Sequence, residues 1–160
     1  MHLILNHLPV VTLLIALSVW FWGLFLSWEP ARRIGLALFF VGGLLAVPAF
    51  FSGERAEEEM ESVLSAEEAF IEEHEEAAKL ALILCLITAG AAGFSFFLKR
   101  KGKGSASRSL EFVTAGLSIV AFLVVARAAH FGGMIRHPEI RGTQAMDLPT
   151  QSSPGEEDLE

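Results

Sequence analysis

Four long apolar stretches, separated by short polar segments, dominate the pattern of residues along the chain. They cover residues 8–28, 34–51, 77–98 and 110–135. Each is close to the ~20 residues that an α-helix needs to cross a hydrocarbon core of ~30 Å. The first stretch is too long for a cleaved signal peptide, and neither a preceding cation nor a following Ala-x-Ala-like site accompanies it. The pattern therefore predicts an all-α integral membrane protein, a bundle of four transmembrane helices.

The segment between the second and third spans, residues 54–76, is too acidic to enter lipid. Its few large apolar residues are spaced as in one amphipathic helix or two short ones, which we expect outside the membrane over the mouth of the bundle. Ser65-Ala66-Glu67-Glu68 has the pattern of a capping box. This pattern predicts that the third helix begins near Ala66.

Small residues and a proline shape the second span. Gly35, Gly42 and Gly43 predict a face on which another helix can approach closely. Pro48 predicts a kink in the last turn, and Ser52-Gly53 predicts the end of the helix.

Composition supports the membrane assignment and excludes several other classes. The chain is 52% hydrophobic with a mean hydropathy of +0.49, above what a soluble domain usually carries. The basic residues form no stripe with interleaved aromatics, so nucleic acid is not an expected partner. The single cysteine excludes an intramolecular disulfide. No phosphate-binding loop or Ser/His/Asp set is present, so a hydrolase or a nucleotide-driven machine is not expected. Whether the chain is an enzyme stays open, with a role other than that of a stand-alone enzyme favoured.

The chain divides into a membrane domain, residues 1–141, and a tail, residues 142–160. The tail is rich in Pro, Ser, Gly and acids and is predicted to be disordered. The loops at one side of the four spans carry the cations Arg32, Arg33, Lys99, Arg100, Lys101, Lys103 and Arg108. By the positive-inside rule these loops are cytoplasmic and both termini face outward.

All five histidines then fall at the outer end of the bundle. His7, His74 and His130 are expected within about a turn of the membrane boundary. His2 and His137 are expected roughly 7 to 10 Å further out if the helices continue. The sequence thus predicts an inner layer of three imidazoles and an outer layer of two.

Haem b is the most economical ligand for such layers, because four-helix bundles hold cofactors between facing helices and axial ligation needs one or two imidazoles. The candidate axial pairs join His74 to His7 or to His130, with His2 and His137 as a second pair or as supports. Arg127, a charge inside the fourth span, could pair with a haem propionate. Gly132-Gly133 would let a flat macrocycle or another helix come close.

Two other interpretations stay open. A non-haem metal ion could be held by His7, His74 and His130, although the Glu-x-x-His and His-Glu-x-x-His patterns are absent. Alternatively no cofactor is bound, the histidines join helix ends by hydrogen bonds, and Arg127 reaches the headgroups or a glutamate at the outer mouth. A transporter is a weaker possibility, since no span is broken at its midplane.

Several of these motifs together resemble the DUF2231 family of bacterial four-helix membrane proteins. The resemblance lies in the opening Met1-His2-Leu3-Ile4-Leu5-Asn6-His7-Leu8-Pro9, in Ser52-Gly53, in His74, and in Gly132-Gly133-Met134-Ile135-Arg136-His137. It extends to about Arg141 and carries over His2, His7, His74 and His137 as signature positions. The ending is one or two residues shorter than the family form, and His130 and Arg127 are not part of the pattern. The family implies the membrane architecture but no settled activity.

The sequence leads to one main hypothesis. It predicts a small protein of the bacterial inner membrane with both termini periplasmic and a histidine-lined haem b or metal site at the outer face. Electron transfer or redox sensing, in a larger membrane redox complex or a homo-oligomer, is the expected function. The alternative is a non-catalytic structural or assembly subunit without a cofactor.

Overall fold

Four long helices make up the structure, a computed structural model that describes the backbone of residues 2–60 and 68–136 and the side chains of residues 7–53 and 71–135. The helices are α1 (His2–Phe25), α2 (Glu29–Met60), α3 (Glu68–Arg100) and α4 (Gly104–Arg136). Each contains a segment long and apolar enough to cross a membrane: His7–Phe25, Glu29–Gly53, Ile71–Arg100 and Gly104–Ile135. The predicted all-α bundle of four membrane-spanning helices is confirmed.

The helix ends differ from those predicted. The helix of the second span does not end at Ser52-Gly53, because α2 continues to Met60. The acidic segment between the spans, as far as the structure describes it, consists of continuations of α2 and α3. A continuous helix satisfies its own backbone hydrogen bonds at any depth, so nothing forces it to stop at the membrane surface. Ser65 and the tail lie outside the described residues.

Both short turns end a helix with the same pair of backbone hydrogen bonds. At the end of α1 the Trp28 amide donates to the Gly23 carbonyl at 2.8 Å, and the Ser27 amide donates to Leu24 at 3.2 Å. This is the Schellman arrangement, which needs one residue in the left-handed region. Ser27 occupies that position at φ 53°, whereas Gly102 occupies the equivalent position after α3 at φ 73°.

Glycines on α2 allow close approach to helices on both sides. A Cβ atom at Gly35 would lie 2.6 Å from the Cβ of Trp20 on α1, and Gly42 also faces α1. A Cβ atom at Gly43 would collide with the backbone oxygen of Cys85 on α3. The predicted close-contact face of the second span is therefore confirmed, and it serves two neighbours rather than one.

Helices α3 and α4 pack antiparallel along a seam of small and polar residues that repeat every seven positions. On α3 the repeat is His74, Ala81, Thr88 and Ser95, and on α4 it is Ser107, Thr114, Ala121 and Ala128. At one end of this seam the hydroxyls of Ser95 and Ser107 lie 3.1 Å apart, fully buried. Small side chains let two membrane helices approach, and buried hydroxyls join them. His74 continues the same repeat at the opposite end.

Candidate functional site

Polar side chains gather at both ends of the bundle. The basic end contains the α1–α2 and α3–α4 turns, and the histidine end contains His74, Arg127 and His130. The histidine end is where the sequence predicts a site.

His74 of α3 lies across the backbone of α4. Its Nδ1 atom is 2.7 Å from the carbonyl oxygen of Ala128. Because a carbonyl oxygen can only accept, Nδ1 must carry the proton. A Cβ atom at Gly132 would lie 3.1 Å from the ring carbon Cε1, so this glycine makes room for the imidazole itself. At Gly133, the other candidate glycine, an added Cβ atom would meet nothing within 4 Å among the described residues.

Arg127 is paired with a carboxylate at the same end. Its Nη2 atom lies 2.6 Å from Oε2 of Glu73, and its guanidinium stands 5.3 Å from the ring centre of Phe131. The side chains of Arg127 and Glu73 are 59% and 49% exposed. An exposed pair of this kind contributes about 0–1 kcal/mol. Glu73 at the histidine end, one of the glutamates left open as partners for Arg127, is thus its partner in this structure.

The three histidines of the predicted inner layer do not lie at one level. His74 and His130 each lie 26 residues from the α3–α4 turn, whereas His7 lies 18 residues from the end of α1. At about 1.5 Å per residue, His7 is roughly 12 Å deeper in the bundle than the other two. His130 is exposed, with its ring 6.0 Å from that of Phe131.

A metal site of three groups is not assembled from these histidines. Among the described side chains, no three His, Cys, Asp or Glu residues are close enough to hold one metal ion. The side chain of His2 and all of His137 lie outside the described residues, and their proposed roles stay predictions.

The basic end holds a charge cluster that the sequence analysis did not predict. Glu111 of α4 is 1% exposed, and its Oε2 atom accepts a hydrogen bond from Nε of Arg32 on α2 at 3.0 Å. Its Oε1 atom lies 2.6 Å from Nζ of Lys99 on α3, at an angle outside hydrogen-bond geometry. Arg32 is 7% exposed and Lys99 16%. One buried carboxylate therefore links three helices.

A second carboxylate continues the cluster toward solvent. Glu29, at the start of α2, lies 3.0 Å from Arg33 and 3.6 Å from Lys99. Lys99 thus stands between the exposed Glu29 and the buried Glu111. From the surface inward, the cluster alternates between carboxylates and cations, in the order Glu29, Lys99, Glu111 and Arg32.

A cavity of about 600 Å³ opens beside this cluster. Its walls come from the two turns, the charged side chains and the first turn of α4. We call it the basic cavity. It combines charge, depth and an opening.

The signal for this cluster was present in the sequence. Glu111 is the second residue of the predicted fourth span, and a carboxylate within a span is costly unless it is paired. As loop cations, Arg32 and Lys99 by themselves predict only the orientation of the bundle. Which of the seven loop cations reaches a buried carboxylate depends on how the helices pack, and no local pattern encodes it.

Comparison of the chain with protein-family models, with curated proteins and with solved structures gives no match. The resemblance to the DUF2231 family therefore stays a prediction, and function has to be argued from the residues of this chain.

Proposed function

We propose that this chain is a non-catalytic membrane subunit whose polar groups at the histidine end join helices. The observation that carries the proposal is the 2.7 Å contact from Nδ1 of His74 to the carbonyl oxygen of Ala128. This contact closes the α3–α4 seam at the end opposite the buried pair of serines. The neighbouring pair of Arg127 and Glu73 connects the same two helices.

A haem b or metal site used in electron transfer or redox sensing is the second candidate. The supporting observation is the 2.7 Å contact from Nδ1 of His74 to the Ala128 carbonyl, because a neutral histidine that donates Nδ1–H to a carbonyl carries its lone pair on Nε2. The register disfavours His7 as the second ligand, since it lies roughly 12 Å deeper. The backbone of His2 lies five residues further out on α1 and is closer to the level of His74. Haem would supply reversible one-electron chemistry at that face.

The absorption spectrum and iron content of the purified protein decide between these two candidate functions. The full-length chain, expressed in a haem-competent host, is examined by absorption spectroscopy in oxidised and reduced forms and by iron analysis. The subunit proposal predicts no Soret band and no iron. A Soret band that His74→Gln abolishes and His130→Gln preserves would establish the haem candidate instead.

The same two variants test the structural role of His74. His74→Gln removes a part-buried hydrogen bond, so we expect it to lower the free energy of unfolding by about 1 kcal/mol. His130→Gln alters an exposed side chain and should change it by less than about 0.5 kcal/mol. Equal stability of the two variants in detergent would contradict the role proposed for His74.

We further propose that the protein resides in a bacterial inner membrane with the basic end in the cytoplasm and both termini in the periplasm. The bias of cations toward one pair of loops supports this orientation. We propose that the subunit assembles into a larger membrane complex or into a homo-oligomer. Alkaline phosphatase fused to the C-terminus should be active, and activity only from a fusion in the α3–α4 turn would reverse the orientation.

A further inference from the structure

We propose that the basic cavity binds a phosphate-bearing anion, with the headgroup of an anionic phospholipid as its leading source. Basic cavities between membrane helices are a recurrent means of holding such headgroups. Three features of the cavity support this ligand class: its charge balance, one buried guanidinium and the start of α4.

The charge balance of the cavity is positive. Arg32, Arg33, Lys99 and Arg108 line it, against Glu29 and Glu111 only. Both carboxylates are already engaged by cations. Arg108 has no ion pair within the described residues, so positive charge is left over. A diffusible anion is the group that completes this balance.

Within the guanidinium of Arg32, only the Nε group has a hydrogen-bond partner among the described residues. Its side chain is 7% exposed and forms part of the cavity wall. Glu111 accepts the hydrogen bond of Nε, and no other hydrogen bond of this side chain occurs among the described residues. A guanidinium presents its donors in a planar fork that matches a phosphate. The buried carboxylate thus positions Arg32 and leaves its two Nη groups for a ligand.

The start of α4 adds backbone donors. The Ser107 amide makes the first helical hydrogen bond, to the carbonyl of Lys103, at 3.0 Å. The amides before it have no partner within the helix. Gly104 and Ser105 of that first turn line the cavity. Free amides and the positive end of the helix dipole both favour a phosphate at this place.

The position of the cavity favours a lipid over a soluble ion. It lies at the ends of all four membrane-spanning segments, where headgroups are found. Large apolar side chains stand exposed beside the α1–α2 turn, with Phe25 at 87% and Trp28 at 52%. Such side chains contact acyl chains and the interface. A phospholipid could therefore place its phosphate in the cavity and its chains along α1.

The test uses the full-length protein in detergent and two lipids of equal chain length. Short-chain phosphatidylglycerol is titrated against short-chain phosphatidylcholine, and inorganic phosphate is titrated against chloride at equal ionic strength. Calorimetry gives the Kd, and the melting temperature gives an independent measure. The variant is Arg108→Gln, which removes the cation that has no ion pair among the described residues and leaves the buried cluster intact. Arg100→Gln is the matched control, an exposed arginine of the same turn region that does not line the cavity.

We expect phosphatidylglycerol to bind and raise the melting temperature more than phosphatidylcholine does. Arg108→Gln should weaken the binding by about tenfold, as for loss of one charge-assisted hydrogen bond, while Arg100→Gln stays within about twofold. Binding of inorganic phosphate with the same dependence on Arg108 would support the anion site with a soluble source. Equal binding of the two lipids without binding of phosphate, or equal effects of the two arginine variants, would overturn the proposal.

Discussion

Each end of the bundle contains an ion pair between an arginine and a glutamate, but the two pairs differ greatly in burial. At the histidine end, Arg127 and Glu73 pair at 2.6 Å with about half of each side chain exposed. At the basic end, Arg32 and Glu111 pair at 3.0 Å with 7% and 1% exposed. The shorter contact belongs to the pair whose disruption should cost less, because water screens an exposed pair and replaces a lost partner. Burial, rather than distance, decides how much each pair matters to the fold.

The same difference applies to function. A buried ion pair is weak evidence for stability, because the loss of hydration offsets much of the attraction. The basic end nevertheless buries a carboxylate with two cations and keeps a cavity beside them. An arrangement of this kind within a membrane span is a candidate for binding. Among the described residues, the buried charge cluster beside a cavity therefore lies at the basic end.

Glu111→Gln should have the largest effect on stability and should separate the two ends most clearly. It leaves Arg32 and Lys99 buried without their shared carboxylate, which should cost about 3–5 kcal/mol in the free energy of unfolding. Glu73→Gln, the same substitution at the histidine end, should cost about 0–1 kcal/mol. Unfolding in mixed detergent micelles measures both. Similar losses for the two variants would show that burial does not separate the two ends.

Gly43→Ala provides a reference effect from the middle of the bundle, away from both charged ends. The new methyl group meets the backbone oxygen of Cys85 and the Cβ of Ala89, so α2 and α3 must move apart. We expect a loss of about 1–3 kcal/mol by the same unfolding measurement. Gly90→Ala on α3 is the control, because nothing among the described residues lies within 4 Å of its new methyl group. A stable Gly43→Ala variant would contradict the close packing of α2 on α3.

Ser27→Gly should have the smallest effect and the opposite sign. Ser27 has φ 53°, a conformation in which an L-residue is strained by roughly 1 kcal/mol and glycine is not. The variant should therefore be more stable by up to about 1 kcal/mol. Ser109→Gly, within α4, should instead lose a few tenths of a kcal/mol to about 1 kcal/mol. Destabilisation by both glycines would argue against the turn at the basic end.

The sequence was sufficient to predict the membrane spans, their number and the close-contact glycines of α2. These features depend on the local sequence, namely on the length of the apolar stretches and on the positions of small residues. It was insufficient for the end of α2 and the start of α4, because a helix can continue beyond the membrane wherever its residues tolerate the helical conformation. Ser52-Gly53 predicts the end of a helix, but neither residue forbids a helix.

Depth and partner choice could not be derived from the sequence. His7 and His74 both lie near the predicted outer boundary, yet α1 is shorter than α3 and the two residues lie at different levels. Arg32 differs from Arg33 by one position, but one is buried against Glu111 and the other pairs with the exposed Glu29. A rotation of about 100° around the helix axis separates the two residues, and only tertiary packing decides which faces inward.

Two double-mutant cycles test the contrast between the ends most directly. One combines Arg32→Gln with Glu111→Gln, and the other combines Arg127→Gln with Glu73→Gln, each measured as a free energy of unfolding in the same micelles. We predict a coupling energy of about 2–3 kcal/mol for the buried pair and below about 1 kcal/mol for the exposed pair. Equal couplings, or a larger coupling between Arg127 and Glu73, would contradict the central role given to the basic end.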